Sequence, residues 1–193
     1  FVRISDAPIA SDLVPDAAAS MVLSVEPMES LRYAGMLRPD GWIVTDVTPL
    51  KNVPDYPDPA RLFDVLFSVP RLVAVDAGAL AHRAGTVKAH NTVMLGAAAP
   101  LLPVPPALLE KHLRSLFAAK GARIVAANVD AFRMGEAASR FAVALVAGGV
   151  AGDVVARVVP RLAFEPQPVA PELVAAWVER LLAPGAGIAS ARL

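Results

Sequence analysis

Three apolar runs in this chain each end on a polar group of the kind that does chemistry or caps a helix. "MVLSV" (21–25) leads into Glu26, "WIVTDV" (42–47) carries Asp46 and is followed by Thr48, and "RLVAVDA" (71–77) holds Asp76. In an open parallel sheet, ligands gather beyond the carboxyl ends of the strands, where loops and helix N-termini converge. Glu26, Asp46, Thr48 and Asp76 therefore mark a rim that would bind a ligand or dock onto another subunit. The alternative is that Glu26 and Asp76 only accept hydrogen bonds from backbone N–H groups at helix starts. Pro27 and Glu29 need no function, because proline suits the first helical position and an acid in the first turn opposes the macrodipole.

Other chemistry is sparse. His82, His90 and His112 are scattered, with neither a cysteine nor an H-x-x-x-H pair beside them, so they read as surface or helix-end residues. No G-x-S-x-G elbow, P-loop or G-x-G-x-x-G occurs, and "AGGVAG" (147–152) reads as a helix break. "NVPDYPDP" (52–59) is a proline-rich loop around Tyr56, either a plain connection or a contact loop. In "AHNTVMLGAAAP" (89–100), Asn91 precedes a small-residue, tightly packable helix and could cap, cross-link or touch a ligand. With no self-sufficient catalytic constellation, the chain has the character of one part of an enzyme.

The elements that position these groups alternate. Helices are expected over "PMESLRYAGML", after an "RPDG" turn comes the second strand, and Asp58-Pro59 opens "ARLFDVLFSV" with Leu62, Val65, Leu66 and Val69 on one stripe. "GALAHRAG" is a short helix closed by Gly85, and Thr86 is placed to cap "VKAHNTVMLGAAAPLL". Leu109, Leu113, Leu116 and Phe117 form the next apolar face, and Val125, Val129 and Phe132 the one after. Strand–helix alternation calls for an α/β fold, an open, mostly parallel sheet with helices on both faces. The expected division is an α/β domain over 1–146 and a helical C-terminal extension over 147–193, with Val174, Trp177, Val178 and Leu181 on its last helix.

Composition narrows the class. At 55% hydrophobic and 19% charged, the chain can fill a core and is not disordered. Lys+Arg and Asp+Glu both number 18, which leaves no electrostatic footprint for nucleic acid. Having no cysteine, the chain can supply no disulfide or iron–sulfur ligand, which fits a cytoplasmic protein. "FAVALVAGGVAG" is too short and glycine-broken to span a membrane and reads as core or subunit interface. Because the alternating "FVRIS" stretch begins at Phe1, residues are expected upstream.

The order of "SDLVP", "SVEPMESLRY", "GWIVTDVTPLKNVPDYPD", "KAHNTVMLGAA" and "ANVDAFRMG" resembles the gamma-type subunit of 2-oxoacid:ferredoxin oxidoreductases over residues 1 to about 140. Its "EPMESLRY" and "NVPDYP" blocks are most similar to the branch acting on indolepyruvate and other aryl pyruvates; sister complexes take pyruvate, 2-oxoglutarate, branched-chain oxoacids or phenylglyoxylate. A free-standing α/β interaction or ligand-binding domain is the alternative outside the enzyme class. The family's G-G-Q-G turn and S-Q-R-G-G segment lie upstream of Phe1. The resemblance implies a non-catalytic subunit of a hetero-oligomer that binds no cofactor alone. A larger partner carries thiamine diphosphate and iron–sulfur clusters, ferredoxin takes the electrons and coenzyme A is co-substrate. It also implies that Glu26, Pro27, Thr48, Pro49, Asn91 and Met94 face the partner's cofactor cleft.

Overall fold

The computed structural model describes residues 1–50 and 55–183. Three parallel strands, β1 (Ala19–Ser24), β2 (Leu37–Asp46) and β3 (Leu72–Val75), lie side by side in that order. Ser24 pairs with Thr45 and Asp46 with Val75, so the three strand ends finish at one edge. Parallel strands need crossovers, and here α1 (Pro27–Arg32) joins the first pair and α2 (Pro59–Phe67) the second.

Helices cover both faces, as the alternation requires. On one face Val44, Val73 and Val75 bury against α3 (Ala77–Arg83), α4 (His90–Ala98) and α6 (Ala122–Ala147). On the other, Val22, Ile43, Leu72 and Ala74 meet Leu66 of α2 and Ala156 of α7 (Gly152–Val158), with Leu31 of α1 alongside. Runs with apolar residues on both faces are the pattern of a doubly covered sheet. α5 (Pro106–Phe117) packs onto α6 through Leu113, against Phe132 and Val129. α8 (Pro171–Leu182) docks by Trp177, whose ring meets Phe141 edge-on at 6.1 Å.

Several local expectations change. "RPDG" is no turn ahead of β2 but lies inside it: between two paired positions β1 advances by two residues where β2 advances by five. Gly41 sits there, where a Cβ would crowd the Leu37 side chain at 2.6 Å and the Ala19 carbonyl oxygen at 3.1 Å. α1 stops at Arg32, giving way to a 3₁₀ turn over Ala34–Met36. Val65 and Leu116 leave their apolar stripes and are exposed. Thr86 caps a single 3₁₀ turn (Val87–Ala89) ahead of α4, accepting from the Lys88 N–H. Residues 1–18 form no strand or helix, since an alternating stretch such as "FVRIS" becomes a strand only where a ladder partner meets it. "FAVALVA" is the last part of α6, which ends at the Gly148-Gly149 break. Among the described residues no helix is long and apolar enough to cross a membrane.

α4 crosses α6 at very close range. A Cβ on Gly96 would lie 1.9 Å from the Phe132 carbonyl oxygen, and one on Gly135 would lie 2.0 Å from that of Val93. Beside this contact the Thr92 hydroxyl donates to Asn128 Oδ1 at 2.9 Å, and Asn128 Nδ2 donates to the Ile124 carbonyl. The crossing fixes α4, and so fixes where its first residue, His90, meets the sheet.

On the outer surface Glu110 of α5 accepts from Arg133 of α6 and from Arg114 one turn on. The Arg133 hydrogen bonds hold the Glu110 carboxyl below the ordinary range against the opposing effect of burial. A lowered folded value means the clamp is complete above the usual carboxylate range and is lost as pH falls through that lowered value.

Two outcomes follow from this packing. Gly96→Ala or Gly135→Ala forces the helix backbones apart and costs about 3 kcal/mol or more, seen as a large drop in denaturation midpoint; a loss of only a few tenths would contradict the close approach. Glu110→Gln lowers the melting temperature at pH 7 by about 2–4 °C, the equivalent of about 1 kcal/mol. That difference should shrink steadily in melts run at progressively more acid pH.

Candidate functional site

Asp46 ends the central strand with its side chain only 1% exposed. A carboxylate so placed must replace its lost water with donors. Its Oδ1 accepts the Ala77 N–H at 2.9 Å, at the start of α3, and the Thr48 hydroxyl at 3.4 Å. Its Oδ2 meets His90 Nε2, from the start of α4, at 2.8 Å. One carboxylate thereby ties β2, the loop after it and two helix starts together.

On the neighbouring strand end, Glu26 is 6% exposed and both of its oxygens are used. Oε2 accepts the Glu29 N–H at 2.8 Å, the N-cap bond of α1, with Pro27 buried at the first helical position. Oε1 accepts the phenol of Tyr56, so the chain at Tyr56 is pinned onto the strand edge. Burial, then the hydrogen bond to Glu26, then the charge on Glu26 push the Tyr56 phenol well above its ordinary value near 10. Asp76 caps α3 by accepting the Ala79 N–H at 2.8 Å. The capping role is therefore real for both acids, and Glu26 has a second one.

The sequence-derived residues separate. Glu26, Pro27, Thr48 and Pro49 do gather at the carboxyl edge, with Glu26 and Pro27 buried, Thr48 exposed and Pro49 half-buried. Asn91 is exposed, beside His90. Met94 is 1% exposed, in the core with Val93 and Ala97, so its side chain cannot belong to a surface. α4 is buried almost all round, so even the position just over one turn on from His90 meets core.

Sequence reasoning missed His90 and the role of Tyr56. His82 and His112 are exposed as expected, but the His90 ring turns inward onto Asp46 and is 29% exposed. Asp46 and His90 stand 44 positions apart, and Glu26 and Tyr56 stand 30 apart, so no spacing rule joins them. The available signal was an ionisable residue at the end of an otherwise apolar strand, which must find a partner somewhere.

The residues present do not suit a metal cluster. The chain has no cysteine, and among the described residues no group of three or more His, Asp or Glu side chains could hold an ion. Residues 51–54, which include the first three of the "NVPDYPDP" loop, and the tail at 184–193 lie outside the described residues.

Comparison with known proteins gives the family and its named relatives. Residues 1–138 match the family model described as pyruvate ferredoxin/flavodoxin oxidoreductase. The chain is 30% identical over 141 residues to an indolepyruvate oxidoreductase subunit IorB of Methanothermobacter thermautotrophicus, covering 69% of this chain and 70% of that one. It is 29% identical over 143 residues to the protein of that name from Archaeoglobus fulgidus, covering 69% of each. With the one from Pyrococcus horikoshii it shares 29% identity over 150 residues, 72% of each. No solved structure matches significantly.

The Glu26–Tyr56 contact makes a sharp spectroscopic prediction. A phenol held more tightly protonated when folded stabilises the fold fully below its ordinary pKa, and its contribution is lost only as pH rises beyond it. A rapid absorbance titration should show a late-ionising tyrosine component. Tyr56→Phe removes the late component, and Glu26→Gln moves it to lower pH. A late component that survives Tyr56→Phe belongs to another residue and refutes the assignment.

Proposed function

The chain belongs to the pyruvate ferredoxin/flavodoxin oxidoreductase family, and from that we propose that it is the non-cofactor subunit of a cytoplasmic complex that oxidatively decarboxylates indolepyruvate and related aryl pyruvates to acyl-CoA. The observation that carries the substrate is the relatives: those matched are named as indolepyruvate oxidoreductase subunits. Thiamine diphosphate, which supplies carbanion chemistry when bound, and the iron–sulfur clusters that relay electrons to ferredoxin sit in a larger partner subunit. The lack of any cysteine here supports that division.

This chain's contribution is a surface. At its carboxyl edge the polar groups Glu26 and Asp46 are already satisfied by the protein itself. Around them Leu23, Val25 and Leu50 are 43%, 39% and 50% exposed. Apolar side chains clustered around rigid, satisfied polar groups suit a protein–protein interface, where unpaired charge would be costly. Glu26, Pro27, Thr48, Pro49 and Asn91 then shape the edge that faces the partner. They carry no acid or base of the decarboxylation.

Co-expression with the reading frame for a thiamine-diphosphate and iron–sulfur subunit tests both claims. The two chains should co-elute, reduce a viologen dye with indolepyruvate faster than with pyruvate or 2-oxoglutarate, and lose that activity when this chain is omitted. Leu23→Asp with Val25→Asp should weaken assembly at least tenfold without lowering the melting temperature of this chain. If the partner turns over equally well without this chain, the subunit assignment is wrong.

A further inference from the structure

We propose that His90 is a proton-accepting group presented at the carboxyl edge of the sheet, and that it takes the proton of the thiol co-substrate in the reaction described above. This inference rests on the function just proposed. Its basis is the geometry around Asp46. That carboxylate is surrounded by donors: the Ala77 N–H, the Thr48 hydroxyl and His90 Nε2. An acceptor-only carboxylate facing Nε2 at 2.8 Å requires a hydrogen on that nitrogen. In a neutral imidazole the lone pair then lies on Nδ1, and among the described residues Nδ1 meets no hydrogen-bond partner.

A cross-link alone does not require this chemistry. An amide or a second hydroxyl would give Asp46 its donor just as well and would leave no basic nitrogen beside it. Instead the ring is 29% exposed while the carboxylate behind it is 1% exposed. A buried acid that fixes the tautomer of an accessible imidazole is the arrangement by which proteins orient a general base. Among the described residues no hydroxyl or thiol is hydrogen-bonded to the ring, which leaves Nδ1 for the proton of a ligand. As free groups, a thiol and an imidazole differ by only about two pKa units, whereas an alcohol lies far higher; a thiol is the co-substrate group such a base can ionise.

The step balances without a further reagent. The S–H bond breaks with its electron pair left on sulfur, a bond forms between that hydrogen and Nδ1, and the resulting imidazolium faces the Asp46 carboxylate. The thiolate is the nucleophile that acyl transfer requires, and the proton later leaves Nδ1 for water.

Two measurements decide the matter. Long-range proton–nitrogen spectra of the wild-type chain should show His90 as the Nε2–H tautomer at a pH where the ring is neutral, with Asp46→Asn scrambling it. An Nδ1–H tautomer in the wild type overturns the proposal, whatever any variant does. In the assembled complex, His90→Gln keeps a donor toward Asp46 but removes the base. At saturating coenzyme A it should lower thiol-dependent turnover about 10²-fold, while single-turnover dye reduction by indolepyruvate without coenzyme A keeps its wild-type rate. Wild-type turnover in His90→Gln, or an equal loss in both assays, makes His90 structural and sinks the inference. A wild-type complex with no oxoacid-dependent dye reduction sinks the functional proposal itself and the thiol role with it.

Discussion

A carboxylate taken out of water has to be surrounded by donors, and at Asp46 that constraint ties together the central strand, the loop after it and the starts of two helices. β2 delivers the acid, the start of α3 gives a backbone N–H, Thr48 gives a hydroxyl and the start of α4 gives an imidazole. Leaving any of these out would strand a buried polar group at a cost of about 1–3 kcal/mol. The Asp46 carboxylate is therefore held rigidly, because both of its oxygens are satisfied.

That rigidity is set from farther away by two glycines. α4 can bring His90 to Asp46 only if its axis lies close against α6, and Gly96 and Gly135 allow backbone to touch backbone there. Close helix packing and the polar contact at the strand end thus support each other. The long α6 also carries Phe141, which Phe164 and Trp177 meet edge-on, so the chain beyond residue 147 is tied into the same core.

Much of this was legible before any coordinates. Pro27 and Asp58-Pro59 announced helix starts, apolar runs announced a sheet covered on both faces, and the strand-end acids announced an edge. What could not be read were local departures in which tertiary packing overrides pattern. "RPDG" has turn chemistry, yet the pairing of Ala19 with Leu37 holds it inside a strand as a bulge. Met94 sits in a motif that looked like surface, yet α4 is enclosed on nearly every side. Val65 and Leu116 fit their helical stripes, yet the packing leaves both exposed.

By itself the sequence determined the element types, the parallel order they imply and the motif order shared with the oxidoreductase family, because propensity, capping and periodicity act over a few residues. Only the tertiary structure decided which strand-end acid meets which partner. Asp46 with His90, and Glu26 with Tyr56, are joined across 44 and 30 positions by helix crossings and a loop that bring them within hydrogen-bond reach. A hydrogen bond depends on distance in space, and a local pattern carries no information about that distance.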